Sequence, residues 1–592
     1  MRFLLSLIFI LCMGPSFSQN TITGVVRDSQ TGEPLPYCSI SVKSKAHGII
    51  TNAEGFFSIP ANLNSDTLGF SYLGFEALEI PAREVARIKI IQLKRKDVLL
   101  QEVVVHSDDD YLFDILSRCR KNLLKRCNDN VAKVYYGIET ETRDRPVELL
   151  ECYYNGYLNG ISVNGLSLKN GRIGIAEMDQ RYFLTLNSSK GISRMSLISQ
   201  RDDYPSMPLQ MSKREARKLF RLSLGPGDNE TMHIIFSPKK NKEALFSGDL
   251  WIDKKSNILL KSDLHLMNAG KHPFLPMYPA DSICSLDLNI SHTFEKEGSS
   301  SRLDHINFSY RITYKSVRDT PTVPVPSVIK RDIMTRGIMY FYDYGNPFIL
   351  PYFDYDKDFD DYRKIAIIPY NDFFWDNNNT LVLTKTQKEN LGFLANEGCL
   401  VNYRDDNYGN DFLRIRHSDS TLSSLYEYNY YFWSPDKRII LNRKLPRNSV
   451  YPREKINASI TSNLYNLNVQ LFLDVTQNER TFNFKSYTVF DAMKTFYHLD
   501  EEAETKAFLN IYFDICEIER RRMENLLNSS ANTIQKTDSI YHEAVRRKDE
   551  VTKKYLKEVQ LGKVKKSMSE WNDYVFQNLG IDNLKLFGEK EN

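Results

Sequence analysis

The sequence lacks a strong excess of charge of either sign. Its 592 residues include 78 Lys and Arg against 75 Asp and Glu, which leaves a formal net charge of +3 at pH 7. Nucleic-acid binding requires a basic face that neutralises phosphates, so we expect no nucleic-acid partner. Aromatic residues are abundant instead, with 34 Tyr and 33 Phe, and they favour the half-buried surfaces of β-sheets.

Long apolar runs are also absent beyond the N-terminus. Arg2 precedes an apolar run at residues 3–13, and a Gly14-Pro15 break leads to Ser16-Phe17-Ser18. This order is typical of a secretory signal peptide, here residues 1–18, that is cleaved before Gln19. No later stretch reaches the roughly 18 apolar residues of a membrane helix. We therefore expect a mature chain that has no transmembrane span and resides in the periplasm or at the outer membrane.

Cysteine motifs are missing as well. The eight cysteines include no CxxC pair, and loss of Cys12 with the signal leaves an odd number. We therefore expect few disulfides or none, even in an oxidising compartment. Cys38 and Cys284 alternate with apolar residues in strand-like runs, which predicts that both are small buried side chains.

Common catalytic and cofactor motifs do not occur. The sequence has no Gly-x-Ser-x-Gly elbow, phosphate-binding glycine loop or dinucleotide fingerprint. His542-Glu543 begins like a zinc-protease helix, but Arg546 stands where the second histidine is required. We therefore expect no enzymatic activity, no catalytic residues and no cofactor. Paired carboxylates leave no motif, so a hydrolase with an unrecognised carboxylate site stays open.

Residues 20–105 are predicted to form a small β-sandwich. Short alternating runs are separated by turn residues at 28–36, 52–55 and 62–66. Gly55 ends the second of these turns, where a glycine accommodates a positive φ.

This segment also has a family pattern. The pattern consists of Gly24, Asp28, Thr31-Gly32-Glu33-Pro34-Leu35-Pro36, Thr51, Gly55-Phe56 and Ser71-Tyr72-Leu73-Gly74-Phe75. With these residues the segment resembles the carboxypeptidase regulatory-like domain of secreted proteins of Gram-negative bacteria. The resemblance implies a transthyretin-like (prealbumin-like) sandwich, which is an accessory module without catalytic residues.

Residues 107–320 are predicted to form a helix followed by an antiparallel sheet. Apolar spacing indicates a helix from Ser107 to about Lys125, and Phe246–Leu260 reads as a hairpin that turns at Asp253–Asn257. Behind the sandwich, this order resembles an uncharacterised family of envelope proteins with a curved antiparallel sheet. The hairpin is similar to those of lipoprotein-carrier half-barrels, which implies an amphiphile carrier as an alternative function. A sheet with a filled core is the other interpretation.

Residues 321–490 begin at a proline-rich segment and mix strands with aromatic-rich loops. They contain four alternating carboxylates, Asp354, Asp356, Asp358 and Asp360. Such carboxylates are ligands of hard cations such as calcium. The calcium-loop pattern fails, however, because Phe359 occupies its glycine position and Ile365 its final acidic position. We expect a solvated loop and no metal site, with calcium as the alternative.

Residues 491–592 are predicted to be helical. Ala503, Ala507, Ile511 and Ile515 recur at helical spacing, and the charged segment 538–559 has mixed sign. The expected fold class is therefore mainly β and multidomain, with an N-terminal sandwich, a middle curved antiparallel sheet and a C-terminal α-helical region.

These features predict a secreted binding or scaffolding protein of the cell envelope without catalytic activity. Its partner would be an envelope protein, a glycan or a lipid. The amphiphile carrier and the hydrolase with a carboxylate site are the two alternatives.

The signal pattern generates the first testable prediction. N-terminal sequencing of the protein isolated from cells should find Gln19 as the first residue, because Ser16 and Ser18 provide the small side chains that signal peptidase selects. A chain that retains Met1 in the cell would contradict this prediction.

Overall fold

The computed structural model describes most of the chain. The described residues are 21–43, 48–97, 110–124, 131–143, 145–179, 181–184, 188–240, 243–298, 300–318, 327–403, 430–439, 465–478, 481–492, 494–497, 502–531 and 533–588. The predicted signal peptide, Ser107 and the proline-rich segment at 321–326 lie outside this set. Two compact units are present: Met1–Pro347, Asp360–Ile365 and Asn378–Asp411 form the first, and Phe348–Phe359, Ala366–Asn377 and Phe412–Asn592 form the second.

The two longest described helices, of 28 and 26 residues, lie in the second unit. In chain order the described helices are α1 (Ala82–Ile88), α2 (Asp110–Leu123), α3 (Ser188–Ser193), α4 (Lys213–Leu219), α5 (Asp361–Ile367), α6 (Asp372–Asn377), α7 (Lys385–Glu397), α8 (Ala503–Ser530), α9 (Ile534–Val559), α10 (Lys565–Leu579) and α11 (Asn583–Phe587). None of these described helices is both long enough and apolar enough to cross a membrane.

The N-terminal sandwich contains two small sheets. Its strands are β1 (Thr21–Asp28), β2 (Ser39–Val42), β3 (Gly48–Ile50), β4 (Phe56–Pro60), β5 (Thr67–Ser71), β6 (Leu78–Pro81) and β7 (Ile90–Leu93), in the orders β4-β1-β7 and β3-β2-β5-β6. Val26, Ile40, Phe57 and Leu68 belong to one buried core. Gly55 has a φ of 72°, as expected, and a Cβ there would lie 2.6 Å from the Val26 carbonyl oxygen.

An antiparallel sheet of eleven described strands dominates the first unit. Its order is β13-β14-β15-β16-β17-β18-β19-β8-β9-β10-β20, and β11 pairs only with β12. The strands are β8 (Val131–Thr142), β9 (Arg145–Asn159), β10 (Ser162–Ile175), β11 (Glu177–Met178), β12 (Arg181–Tyr182), β13 (Phe220–Leu224), β14 (Thr231–Pro238), β15 (Ser247–Asp253), β16 (Leu259–Leu266), β17 (Ser282–Glu297), β18 (Ser300–Arg318), β19 (Ser327–Tyr342) and β20 (Cys399–Val401).

The expected fold class is confirmed, because small N-terminal sheets, a large antiparallel sheet and C-terminal helices are all present. The predicted hairpin is β15 and β16, and Asn257 takes a positive φ of 54° in its turn. The sheet extends past residue 320, however, because β19 pairs with both β18 and β8. This register places residues 327–342 with the middle sheet rather than with the region that follows it.

The two faces of this sheet have different surroundings. Along β18, Phe308 and Tyr310 are buried on one side, while the alternate residues Asn307 and Ser309 are partly exposed on the other. We call these the covered face and the open face. Helix α2 contacts β18, and the Phe274 ring of the β16–β17 loop lies 4.6 Å from the Tyr310 ring.

The cysteine expectations hold at one position and fail at another. Cys38 is fully buried in the sandwich, as expected. Cys284 was expected in the core, but it is exposed. The cause is a register shift between Ile283 and Ser285, which leaves Cys284 in a bulge without a partner residue on β18.

The described part of the second unit contains two small sheets, followed by the helices α8 to α11. Strand β21 (Tyr430–Phe432) pairs with β24 (Thr481–Asp491), which pairs with β23 (Val469–Asn478), and β22 (Tyr465–Asn466) pairs with β25 (Phe496–Tyr497). Helix α8 contacts β24. Three residues of its predicted stripe, Ala507, Ile511 and Ile515, share a core with Phe490 and Tyr555.

A buried ion pair joins α8 to the segment after β21. The Arg438 guanidinium lies 2.8 Å from Asp514, whose side chain has no exposed surface. The Trp433 indole and the Asn583 amide also donate to Asp514, both at 2.7 Å. Burial still raises the pKa of Asp514, although these partners favour its charged form, so desolvation is the dominant effect here.

The buried pair generates a stability prediction. Asp514→Ala should lower the free energy of unfolding by about 3–5 kcal/mol, because it leaves the Arg438 charge buried without its carboxylate. Chemical denaturation measures this loss. Asp549→Ala is the matched control, since this exposed partner of Lys548 should change stability by about 1 kcal/mol or less. Equal losses in the two variants would contradict the prediction.

A buried histidine generates a pH prediction. His292 lies on the covered face, and burial lowers its pKa to about 3; Asp263 opposes this shift and His305 adds to it. The folded protein therefore binds this proton less readily than the unfolded chain, so stability present above about pH 6.5 is lost as the pH falls toward 3.

The comparison is between the native protein and His292→Gln in chemical denaturation at pH 7 and pH 5. The native protein should lose about 2 kcal/mol more than the variant over this interval, because one pH unit corresponds to about 1.4 kcal/mol for one proton. Parallel losses in the two proteins would show that His292 does not contribute.

Candidate functional site

The sandwich lies on the open face of the large sheet. The Asn52 amide donates to the Val382 carbonyl at 3.0 Å, and the Tyr340 hydroxyl donates to the Gly48 carbonyl at 3.3 Å. Lys96 forms an ion pair with Glu230 at 2.5 Å. These contacts cover part of the open face and leave the rest accessible beside the sandwich.

A groove lies where this cover ends. It has a volume of about 340 Å³, at the lower end of the usual range for small-molecule sites. Its lining consists of Tyr37, Lys261, Asp263, His265, Asn289, Ile290, Ser291, Asn307, Phe308, Ser309, Arg336 and Gly337. Tyr37 belongs to the sandwich and the remaining residues belong to β16–β19, so two parts of the first unit form the site.

Strand register places the polar residues of the groove in two rows. Asp263, Ser291 and Asn307 are successive partners on β16, β17 and β18. The second row consists of His265, Asn289, Ser309 and Arg336, which are successive partners from β16 to β19. Neighbouring strands are about 4.8 Å apart, and residues two apart along a strand are separated by about 6.7 Å. The floor is therefore a regular lattice of polar side chains.

Tyr37 forms the side of the groove next to the sandwich. Its ring lies 5.5 Å from the ring of His305, which is on the same face of β18 as Asn307. Its backbone has a φ of 58°, which is uncommon for a bulky residue and is found preferentially at functional sites. Burial raises the pKa of Tyr37 to about 12, so its hydroxyl stays protonated and can donate.

The charged groups in the groove have partners. Lys261 lies 2.8 Å from Asp263, which also accepts a hydrogen bond from the Ser291 hydroxyl. Arg336 forms an ion pair with Glu141 at 2.7 Å. The groove therefore presents paired charges together with neutral amides and hydroxyls.

A buried carboxylate lies beside the end of the groove. Glu139 is the β8 partner of Arg336, and the Asn390 amide donates to it. Burial raises the pKa of Glu139, whereas the Asn390 hydrogen bond and Arg336 oppose that shift. Its charge also raises the pKa of Tyr37, so this acid contributes to the electrostatics at the side of the groove.

A pair of carboxylates lies on the β15 side of the groove. Asp249 on β15 is the direct partner of Asp263 on β16, which places their Cβ atoms about 5 Å apart. The His233 ring contacts Asp249 at 2.7 Å and stacks on Trp251 with ring centroids 4.5 Å apart. Both carboxylates are partly exposed, at 26% and 21% of their side-chain surface.

Three of the four carboxylates considered for calcium, Asp354, Asp356 and Asp360, have the following partners. Asp354 pairs with Lys494 at 2.5 Å, and Asp356 accepts from the Asp358 backbone N–H at 2.9 Å. Asp360 accepts from the Arg363 backbone N–H at 2.8 Å. In the part of the chain that the structure describes, no group of three or more His, Cys, Asp and Glu side chains is arranged to hold a metal ion.

The zinc-protease-like segment at His542-Glu543 is also part of a network of local ion pairs. Arg546, which replaces the second histidine of a zinc helix, forms ion pairs with Glu543 at 2.6 Å and Glu550 at 2.5 Å on α9. These pairs lie on an exposed helix surface, as the mixed charge of the segment indicated.

Sequence reasoning did not find the groove, because its residues form no linear motif. They are single polar positions on four strands, and one aromatic residue comes from another domain. The available signal was that polar residues alternate with apolar residues in both strands: Asn289 and Ser291 do so in β17, and Asn307 and Ser309 do so in β18. Such alternation indicates a polar face but does not show that a neighbouring domain borders it.

Comparison with known proteins identifies the N-terminal domain. A CarboxypepD_reg-like domain matches residues 22–105, which confirms the expected resemblance. The TonB-dependent receptor SusC of Bacteroides thetaiotaomicron is 36% identical over 87 residues. This match covers 15% of the chain and 8% of the receptor's length, so it concerns one domain only.

The remaining comparisons concern solved structures. A LolA superfamily protein of Nitrosomonas europaea has 11% identity and a TM-score of 0.16, with 39% of this chain and 91% of that chain covered. A chain of the MucA/MucB complex of Pseudomonas aeruginosa has 10% identity and a TM-score of 0.12, with 40% and 94% covered. Both of these solved structures share no more than 11% of their aligned residues with this chain.

Proposed function

We propose that this protein is an exported, non-catalytic binding protein of the cell envelope that takes a small hydrophilic ligand in the groove. The observation that carries the proposal is the composite lining, in which Tyr37 of the sandwich faces a polar lattice on β16–β19. A site shared by two packed parts of one unit holds its groups in fixed positions, which lowers the entropic cost of binding.

The location in the envelope is supported by two independent features. Residues 1–18 have the order of charges, apolar residues and small residues that directs export. The domain at residues 22–105 has a counterpart in the TonB-dependent receptor matched above. In this proposal the sandwich is more than an accessory module, because it forms the ligand site together with the sheet.

One spacing supports the absence of catalysis: that between Asp263 of the groove and the buried Glu139 beside it. Asp263 on β16 and Glu139 on β8 are separated by four strand spacings, which is about 19 Å. Glycosidases place their two carboxylates roughly 5–9.5 Å apart. Asp263 and Glu139 are therefore too far apart to act on one bond.

One observation favours the hydrolase alternative. Asp249 and Asp263 are direct cross-strand partners and both reach the open face, so their separation is compatible with a retaining mechanism. Against this alternative, Asp249 is held by His233 and Asp263 by Lys261. If the native protein hydrolyses a bound ligand and the Asp263→Asn variant does not, the hydrolase alternative would replace the binding proposal.

The amphiphile carrier would need an apolar site, for which the covered face is the candidate. Described residues of that face, including Leu264, Leu288, Phe308 and Tyr310, are buried. Phe274 and Met277 of the β16–β17 loop contact this side through Tyr310 and Tyr314. An acyl chain would have to displace such contacts, whereas a polar ligand enters the groove without displacing them.

The proposal is tested by blocking the groove. Binding of amino acids, short peptides, nucleosides and oligosaccharides to the full mature chain is measured by thermal shift and native mass spectrometry. Ser309→Trp should abolish binding of any hydrophilic ligand found, because an indole at the centre of the floor fills the groove. Thr313→Trp is the matched control, since Thr313 lies on the same strand and face but outside the lining.

The outcomes separate the alternatives. Hydrophilic binding that Ser309→Trp removes and Thr313→Trp retains supports the proposal. Binding of hexadecanoic acid or 1-N-phenylnaphthylamine that neither variant affects, without any hydrophilic ligand, would favour the carrier. A hydrophilic ligand that binds equally to both variants would show that the groove is not the site.

A further inference from the structure

The centre of the groove floor is made of neutral hydrogen-bonding groups. Asn289 is opposite Ser309, and Ser291 is opposite Asn307, so amides and hydroxyls alternate in both directions. An amide offers donors and an acceptor, and a hydroxyl offers both. This floor matches a ligand whose own donors and acceptors are closely and regularly spaced.

Two groups in the groove have their full hydrogen-bonding capacity left. Among the described residues, neither the Asn307 amide nor the Tyr37 hydroxyl has a hydrogen-bond partner, although both residues are partly buried. Partly buried polar groups normally bind protein or ordered water. Both of these groups are neutral, so they favour an uncharged partner as much as a charged one.

The pairing of charges selects among ligand classes. Lys261 and Asp263 neutralise each other at 2.8 Å, and Arg336 is paired with Glu141 at 2.7 Å. A charged ligand would have to compete with the existing partner of each of these charged groups. A neutral ligand leaves both pairs intact.

Tyr37 adds an aromatic surface beside this polar floor. An aromatic ring has an apolar face and, in tyrosine, a polar tip. One face of a pyranose ring exposes C–H groups, while its rim carries hydroxyls. A tyrosine at the side of a hydroxyl-binding floor therefore fits both surfaces of a sugar at once.

We infer that the ligand of the groove is a neutral oligosaccharide, which binds with its hydroxyls on the Asn289, Ser291, Asn307 and Ser309 lattice and one ring against Tyr37. This inference rests on the proposed function, because it names the ligand class of the same groove. A single sugar ring covers only part of a floor that spans four strands, about 14 Å across, so chains of several rings bind more tightly than monosaccharides.

The test measures binding of defined tetrasaccharides to the full mature chain by isothermal titration calorimetry. The probes are maltotetraose, cellotetraose, mannotetraose and chitotetraose, together with end-blocked neutral tetrapeptides and their unblocked, charged forms. At least one tetrasaccharide should bind. Asn307→Ala should weaken its binding about tenfold, the usual effect of losing a hydrogen bond in a shielded site.

Three further variants control for structure. Tyr37→Asn removes the ring but tolerates the positive φ at this position, and it should weaken binding by about tenfold or more. Tyr37→Phe keeps the ring and should have a smaller effect. Thr313→Ala, about 20 Å from Asn307 along β18, should bind like the native protein.

Each outcome decides the inference. Tetrasaccharide binding that is lost in Asn307→Ala and Tyr37→Asn, and retained in Thr313→Ala, supports it. Peptide binding that depends on the same residues, without sugar binding, would overturn the sugar assignment and leave the proposed function standing. Failure of every hydrophilic probe would overturn both, and sugar binding that is equal in all variants would place the sugar elsewhere.

Discussion

The period of two along β-strands is the constraint on which the first unit depends. In β17 and β18 the same alternation buries Leu288, Ile290 and Phe308 on one face and presents Asn289, Ser291 and Asn307 on the other. A slip of one residue would exchange the two sets. The core and the groove are therefore two consequences of one register, and a change of register would alter both.

The second unit depends on helix α8. Helix α8 buries both apolar and ionised side chains, and Asp514, Glu517 and Glu519 are almost fully enclosed. Arg520 and Arg522 neutralise the two glutamates at 2.9 and 2.5 Å. Buried ion pairs of this kind add little net stability, but they penalise any arrangement that separates the partners. Their contribution is to the uniqueness of the packing more than to its free energy.

Sequence patterns predicted the elements well where the pattern was local. The hairpin at Asp253–Asn257, the positive φ at Gly55 and the apolar stripe at Ala507, Ile511 and Ile515 each depend on residues close together in the chain. Prediction failed where long-range pairing decides the outcome. The bulge at Cys284 requires knowledge of the β18 register, and the membership of β19 in the sheet requires its pairing with β8. The groove belongs to this second class, because it exists only when the sandwich lies on the sheet.

The bulge at Cys284 has a practical consequence. Among the six cysteines that the structure describes, Cys284 is the exposed one, while burial raises the pKa of Cys38, Cys119 and Cys516 to about 12 and keeps those thiols unreactive. Of these six thiols, Cys284 should therefore be the one that a maleimide fluorophore modifies in the native protein. It would sit about 17 Å from Asn289 along β17, close enough for its emission to report occupancy of the groove in a chain that carries no engineered residue.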